Sequence, residues 1–257
     1  MAFFPTKIKK LLFVVLVILL ATEVVNSQKI ISFNISNFRA SKSSIFLQGS
    51  AKISESGTLA LTDPNDPNLL VGRALHNMPV PIWDGATGNV VSFITSFSFI
   101  LDNVGTRTPA DGLVFFLAPT DTRIPNNSTG GKLGLVDGNI AFNQFVGVEF
   151  DNYVNTWDPN YSHIGIDVNS LISLKTTTWN RVNHALVSVS ITYDSNSKIL
   201  SVVLTDNNGQ LSTIAQVVDF KDVLPETVRI GFSASTSAPS RQLHTIQSWS
   251  FSSVLKT

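Results

Sequence analysis

Residues 91–101 constrain the fold more than any other stretch of the chain. Val91, Phe93, Thr95, Phe97, Phe99 and Leu101 share one parity, while Ser92, Ile94, Ser96, Ser98 and Ile100 share the other. Successive side chains of a strand point to opposite faces. The segment therefore predicts a strand with an aromatic face on a core and a mostly hydroxylated face outward. The same period recurs at 187–193, with Val187, Val189, Ile191 and Tyr193 in phase. Asp194-Ser195-Asn196-Ser197 then turns the chain into 200–205, and Asn207-Asn208-Gly209 turns it into 211–218. Asn and Gly tolerate positive φ, so a three-strand meander is expected here.

Helical periodicity is nearly absent, and further strand-like runs lie at 30–35, 112–117, 145–150, 164–168, 228–234 and 248–251. Many short strands at turn-separated spacing predict an all-β sandwich of two packed sheets. Residues 217–225 leave room for one turn of helix, which Pro225 stops. No Pro/Gly/Ser linker and no charge run divides residues 28–257, so they read as one domain.

The N-terminus reads differently. Lys7, Lys9 and Lys10 precede an uninterrupted apolar run at 11–21. A bilayer-spanning helix needs about 20 such residues, so the run is too short to anchor. A basic start, a short apolar core and small residues beyond it read as a secretory signal peptide over 1–27. Val25 and Ser27 precede a cut that leaves Gln28 first. No later run is apolar enough to span a membrane, so the product is expected in the secretory pathway, extracellular or in a vacuolar storage compartment. There the N-x-S/T sequons at Asn34, Asn126, Asn127 and Asn160 become glycosylation candidates.

Composition excludes several functions. The chain has no cysteine, hence no disulfide, thiolate zinc site, iron–sulfur cluster or Cys nucleophile. Its 18 basic and 18 acidic residues balance, so it lacks the basic footprint of a nucleic-acid binder. A secreted chain without disulfides must draw its stability from a large core or from bound metal.

The sharpest local signal is at 148–167. Glu149 and Asp151 are two apart in a strand-like run, so their side chains share a face. Two unpaired carboxylates on a buried face would be costly. Asn155 and Asp158 follow in a turn-rich loop, and His163 enters the next run. Carboxylates with an amide and a carbonyl oxygen suit Ca²⁺. Carboxylates with an imidazole suit a transition ion such as Mn²⁺. A plainer reading is a set of unrelated turn residues, with His163 a bonded strand-end histidine.

This stretch resembles the metal-binding loop of the legume lectins. The resemblance extends over nearly all of 28–257, through Pro109-Ala110-Asp111-Gly112, Gly130-Gly131-Lys132-Leu133-Gly134, His163-Ile164-Gly165-Ile166-Asp167-Val168-Asn169-Ser170, Leu224-Pro225-Glu226, Gly231-Phe232-Ser233-Ala234 and Ser248-Trp249-Ser250-Phe251. It implies a concanavalin-like jelly-roll sandwich of two large antiparallel sheets, with Mn²⁺ and Ca²⁺ beside a shallow sugar pocket. By position, Glu149, Asp151, Asp158 and His163 would bind Mn²⁺, with Ser173 holding a metal-bound water. Asp151, Asn155, Asp158 and the carbonyl of Tyr153 would bind Ca²⁺. A cis peptide is implied before Asp111.

A sugar offers hydroxyls on its rim and C–H bonds on its faces. By the family pattern, Asp111 would accept from two hydroxyls, which makes charge-assisted bonds. Asn155 would donate through its amide, Gly131 through its backbone N–H, and Tyr153 would supply an aromatic face. Ser237 and Ala238 would face the sugar from the last specificity loop. Ser237 departs from the glycine of many relatives, while Arg241-Gln242-Leu243-His244 favours a galactose-type over a mannose/glucose-type sugar. The implied partners are mono- or oligosaccharides and glycoproteins, bound by a homodimer or homotetramer.

Two other readings were weighed. Glu149 and Asp151 could be the acid and nucleophile of a jelly-roll glycoside hydrolase. Metal ligation would occupy both, and no third acid lies on the same strand, so an enzyme is not expected. A lectin-like storage or defence protein without sugar binding would lack parts of the metal loop, which is complete here. His76, His184 and His244 stand apart from the cluster and are expected to be structural or exposed.

Overall fold

The computed structural model describes residues 27–63, 70–105, 108–137, 143–237 and 241–257. Except for Ser27, the expected signal peptide lies outside the described residues, as does Ala238. Sixteen strands, numbered in chain order, form two eight-stranded antiparallel sheets. The back sheet holds β1 (Gln28–Ile35), β3 (Lys52–Ile53), β4 (Leu59–Ala60), β7 (Ser92–Asn103), β12 (Val187–Asp194), β13 (Ile199–Asp206), β14 (Leu211–Val217) and β16 (Gln242–Lys256). The front sheet holds β2 (Ile45–Gly49), β5 (Val71–His76), β6 (Val80–Pro81), β8 (Gly112–Pro119), β9 (Val146–Asp151), β10 (His163–Val168), β11 (Lys175–Thr178) and β15 (Thr227–Ser235). The expected helical turn is α1 (Phe220–Val223), capped by the Asp219 carboxylate, which accepts from the Lys221 N–H.

The expected alternation holds in β7. Phe93, Thr95, Phe97, Phe99 and Leu101 are buried, and the one polar member, Thr95, donates to the Ser250 carbonyl and accepts from the Trp249 indole. Outward, Ser98 meets Ser248 on β16, Ser96 donates to Ser190 on β12, and Ser92 meets Ser195. Between the sheets, Phe97 packs edge-on against Phe150 and Phe232, and Phe232 against Trp249, the tilted geometry aromatic pairs prefer.

The last strand is longer than its sequence pattern suggests. Gln242, His244 and Ile246 point inward, but beyond them Trp249, Phe251, Ser253 and Leu255 do. A bulge between Ile246 and Ser248 inserts one residue and flips the parity. Only the second half therefore reads as a clean strand, at the expected 248–251.

The central strands of the front sheet, β8, β9, β10 and β15, are buried on both faces, and this places the site. On β9, Val148 and Phe150 enter the main core between the sheets. Glu149 and Asp151 point the other way, beneath a third layer of loops. A second apolar cluster holds that layer down, with Leu75, Val114 and Phe116 from the sheet and Leu133, Leu135, Val136, Phe145 and Leu171 from the loops.

Candidate functional site

Strand register assembles the acidic cluster. Asp151 on β9 lies opposite Gly112 on β8 and opposite His163 on β10, while Glu149 lies opposite Gly165. Glu149, Asp151 and His163 therefore share the covered face, each about 1% exposed. A β-carbon on Gly165 would lie 2.2 Å from Ser173 Oγ and 2.4 Å from Glu149 Oε1, so only glycine leaves room for the Glu149 carboxylate. Glu149 Oε1 meets His163 Nε2 at 3.0 Å and Ser173 Oγ at 2.5 Å. His163 Nδ1 donates to the Tyr161 carbonyl, which fixes the ring with Nε2 toward the acids.

Past β9 the chain folds over the same spot. The Tyr153 N–H donates to Asp151 Oδ1, and the Asn155 N–H donates to Asp158 Oδ2, both at 2.7 Å. Like charges crowd here. Burial, then the charges of Glu149, Asp158 and Asp111, raise the Asp151 carboxyl well above the usual range. Burial and Glu149 push Asp158 up to about 6, against the bond from Asn155. Burial opposes a charged His163, but the bond and charge of Glu149, then Asp158 and the Tyr161 carbonyl, outweigh it and raise its pKa.

Asp111 approaches from the start of β8 through a cis Ala110–Asp111 peptide. Its N–H donates to the Ser235 carbonyl, and its carbonyl accepts from both the N–H and the amide of Asn152. Its carboxylate is buried and accepts from Ser237, yet Oδ2 has no partner among the described residues. Burial and the nearby Asp158 raise it to about 6, while Ser237 opposes the shift. The 130–134 segment closes the ring. A β-carbon on Gly130 would lie 3.9 Å from both Asp111 oxygens and 3.6 Å from Ser237 Cβ, and the Gly130 N–H donates to Ser235 Oγ. Gly131 faces the Asn155 amide. Tyr153, 40% exposed, stands at the open side.

The structure thus brings together Asp111, Gly131, Asn155 and Ser237 at one mouth, with Glu149, Asp151, Asp158, His163 and Ser173 behind it. Among the described residues, no three His, Asp or Glu side chains close on one point tightly enough to hold an ion as they stand. The donor set nonetheless fits divalent cations. Among the described residues, buried oxygens of Asn155 and Asp111 lack any partner, and several carboxylates crowd one buried volume. Oxygens of this kind with one imidazole are what Ca²⁺ and Mn²⁺ take. Asn34, Asn126, Asn127 and Asn160 are all exposed.

Asp167 was not singled out in the sequence. It is fully buried behind Glu149, lies 2.8 Å through Oδ1 from Ser173 Oγ, and is raised by burial and by the Glu149 charge. The signal was present, since 163, 165 and 167 continue one strand face. Asn152 was also missed. Its amide bonds the Asp111 carbonyl and Gln242 Oε1, tying Asp111 to both the loop after β9 and β16.

Residues 30–257 match the legume lectin domain. The chain belongs to the legume lectin family. It is similar to a protein of Robinia pseudoacacia named as a bark agglutinin, at 58% identity over 90% of this chain and 85% of that one. It is 51% identical to the galactose-binding lectin of peanut, Arachis hypogaea, over 91% of this chain and 86% of that one. The seed lectin of Lotus tetragonolobus superposes with a TM-score of 0.84 at 55% identity, covering 88% of this chain and all of that one. The two-sheet jelly roll is thus that of a legume lectin, and the family is carbohydrate-binding and non-catalytic. Glu149 and Asp151 stand in a lectin's acidic cluster rather than flanking a glycosidic bond. No helix among the described residues of this lectin is long and apolar enough to cross a membrane.

Proposed function

We propose that this legume lectin binds a hexose, galactose-type in preference to mannose/glucose-type, in a shallow preformed pocket that depends on Ca²⁺ and Mn²⁺. The observation that carries the reading is the buried Asp111 carboxylate, whose Oδ2 has no partner, at the mouth shared with Gly131 and Asn155. An acceptor kept dry and unpaired is ready for sugar hydroxyls, and such charge-assisted bonds are the strong ones. Asn155 donates through its amide, Gly131 through its N–H, Tyr153 offers its ring, and Ser237 borders the pocket; the family pattern would add Ala238, which lies outside the described residues.

Glu149, Asp151, Asp158 and His163, with Ser173 through a water, would hold Mn²⁺. Asp151, Asn155, Asp158 and the Tyr153 carbonyl would hold Ca²⁺. The cations would neutralise the crowded carboxylates and hold the loop. Asn155 would then present its amide nitrogen outward, and Asp111 would stay aligned through Asn152. The galactose preference draws on the peanut relative, named as galactose-binding. Cleavage after Ser27, entry into the secretory pathway and assembly as a homodimer or homotetramer complete the proposal. Paired sites would raise avidity for cell-surface glycans.

Calorimetric titration with galactose and with mannose, before and after chelation, tests it. Metal-dependent heat with galactose is expected. Absence of heat with either sugar in metal-replete protein would overturn the reading in favour of a lectin-like protein that does not bind simple sugars.

A further inference from the structure

Arg73, on β5, is 1% exposed, and no ion pair among the described residues includes it. Its guanidinium lies 4.9 Å over the Phe116 ring in the second apolar cluster. Nη1 donates to Thr122 Oγ1 at 3.0 Å, Nη2 donates to the Gly134 carbonyl, and Nε has no partner among the described residues. Both acceptors are neutral. Burial alone lowers its pKa to about 9, with no carboxylate pulling it back. A buried cation without a counter-charge is a costly arrangement, because partial bonding does not replace lost hydration.

Arg73 lines a cavity of about 320 Å³. Arg123 also lines it, while Asp121 and Asp137 lie on its wall without pairing with Arg73. On a fork-shaped donor the matching ligand is a planar or tetrahedral oxyanion, which can take two parallel N–H bonds.

We propose that this cavity is a second ligand site, in which Arg73 binds a small oxyanion of the carboxylate or sulfate/phosphate class. It is separate from the sugar pocket and independent of that reading. The two meet only along one segment: Gly131 faces the pocket, and three residues on the Gly134 carbonyl caps Arg73.

The test is the melting temperature of the metal-loaded protein in sulfate, in acetate and in chloride at matched ionic strength. A ligand that binds only the folded state raises the melting point saturably. Sulfate or acetate should raise it by about 3 °C at ten times half-saturation, in the millimolar range. The anion that acts tells which class the site takes. General salt effects rise linearly at far higher concentration instead. Arg73→Gln should lose the saturable part. Should that variant not fold, Asp137→Asn serves, because removing a carboxylate from the wall should shift half-saturation about twofold lower. A response equal in chloride, a response retained by Arg73→Gln, or half-saturation unmoved in Asp137→Asn would overturn the proposal.

Discussion

A β-carbon on Gly131 would lie 2.2 Å from Oδ1 of Asn155. The two residues come from loops 24 positions apart, and the Asn155 amide leaves no space for a side chain at 131. Gly131→Ala should therefore push the Asn155 amide aside while the sheets stay intact. Sugar affinity is expected to fall at least tenfold, about 1.4 kcal/mol, with circular dichroism unchanged. A titration matching the unsubstituted protein would refute this.

Asp111→Asn removes the charge but keeps the shape. Hydrogen bonds to charged groups contribute about 1.5–3 kcal/mol, so affinity should drop by about a factor of 100. The folded protein should lose nothing, because burial and Asp158 both disfavour this carboxylate's charge. Calorimetry and a thermal melt on the same sample check both halves: weak binding with an undiminished melting temperature.

Stripping divalent cations should abolish sugar binding and leave a sheet-like far-ultraviolet spectrum, since the main core lies on the opposite side of β9 from the cluster. The effect on stability should depend on pH. Asp111 and Asp158 are raised to about 6 in the fold, above the ordinary carboxylate value of 3.8. A raised carboxyl contributes stability below its unfolded pKa and loses it as pH rises through the folded one. Stripped protein thus gains from acid while metal competes with protons. The melting-temperature gap between loaded and stripped protein should widen from pH 4.5 to pH 7; a gap constant across this window would contradict the assignment.

His244 works in the opposite direction. It is fully buried on β16, pairs through Nδ1 with Thr62 Oγ1 and leaves Nε2 without a partner. Burial, with Arg181 nearby, lowers its pKa to about 3 from 6.5. Its neutral form therefore contributes full stability above pH 6.5, which is lost as pH falls toward 3. Denaturant melts should show His244→Gln losing stability less steeply across that window, by up to about 1.4 kcal/mol per pH unit. Parallel pH profiles would show that His244 is not what resists protonation.

The strands were legible wherever alternation ran unbroken. β7, β12 and β13 follow their sequence pattern, because one face of each lies on the main core, whereas β14 buries only Ile214 and turns Leu211 and Val217 outward. The first half of β16 was not, since a bulge reverses which parity is buried. The three other histidines also divided as tertiary context required. His76 stacks on Phe33 at 4.0 Å, His184 sits exposed beside Asp102, and His244 is sealed in the sheet.

Local pattern was enough for the all-β class, for the inward parity of β7, β12 and β13, and for the donor set gathered between 149 and 163. Each is a short-range property, carried by side-chain period and spacing. That Glu149 and Asp151 face a third layer rather than the main core, and that Asp167 joins them, emerged only on folding. The tertiary structure alone brought Asp111, Gly131 and Asn155 to one mouth and left Arg73 buried without a carboxylate. Those outcomes depend on which strands pair and in what register, and on where the loops come down over the front sheet. They are long-range contacts, which no local pattern encodes.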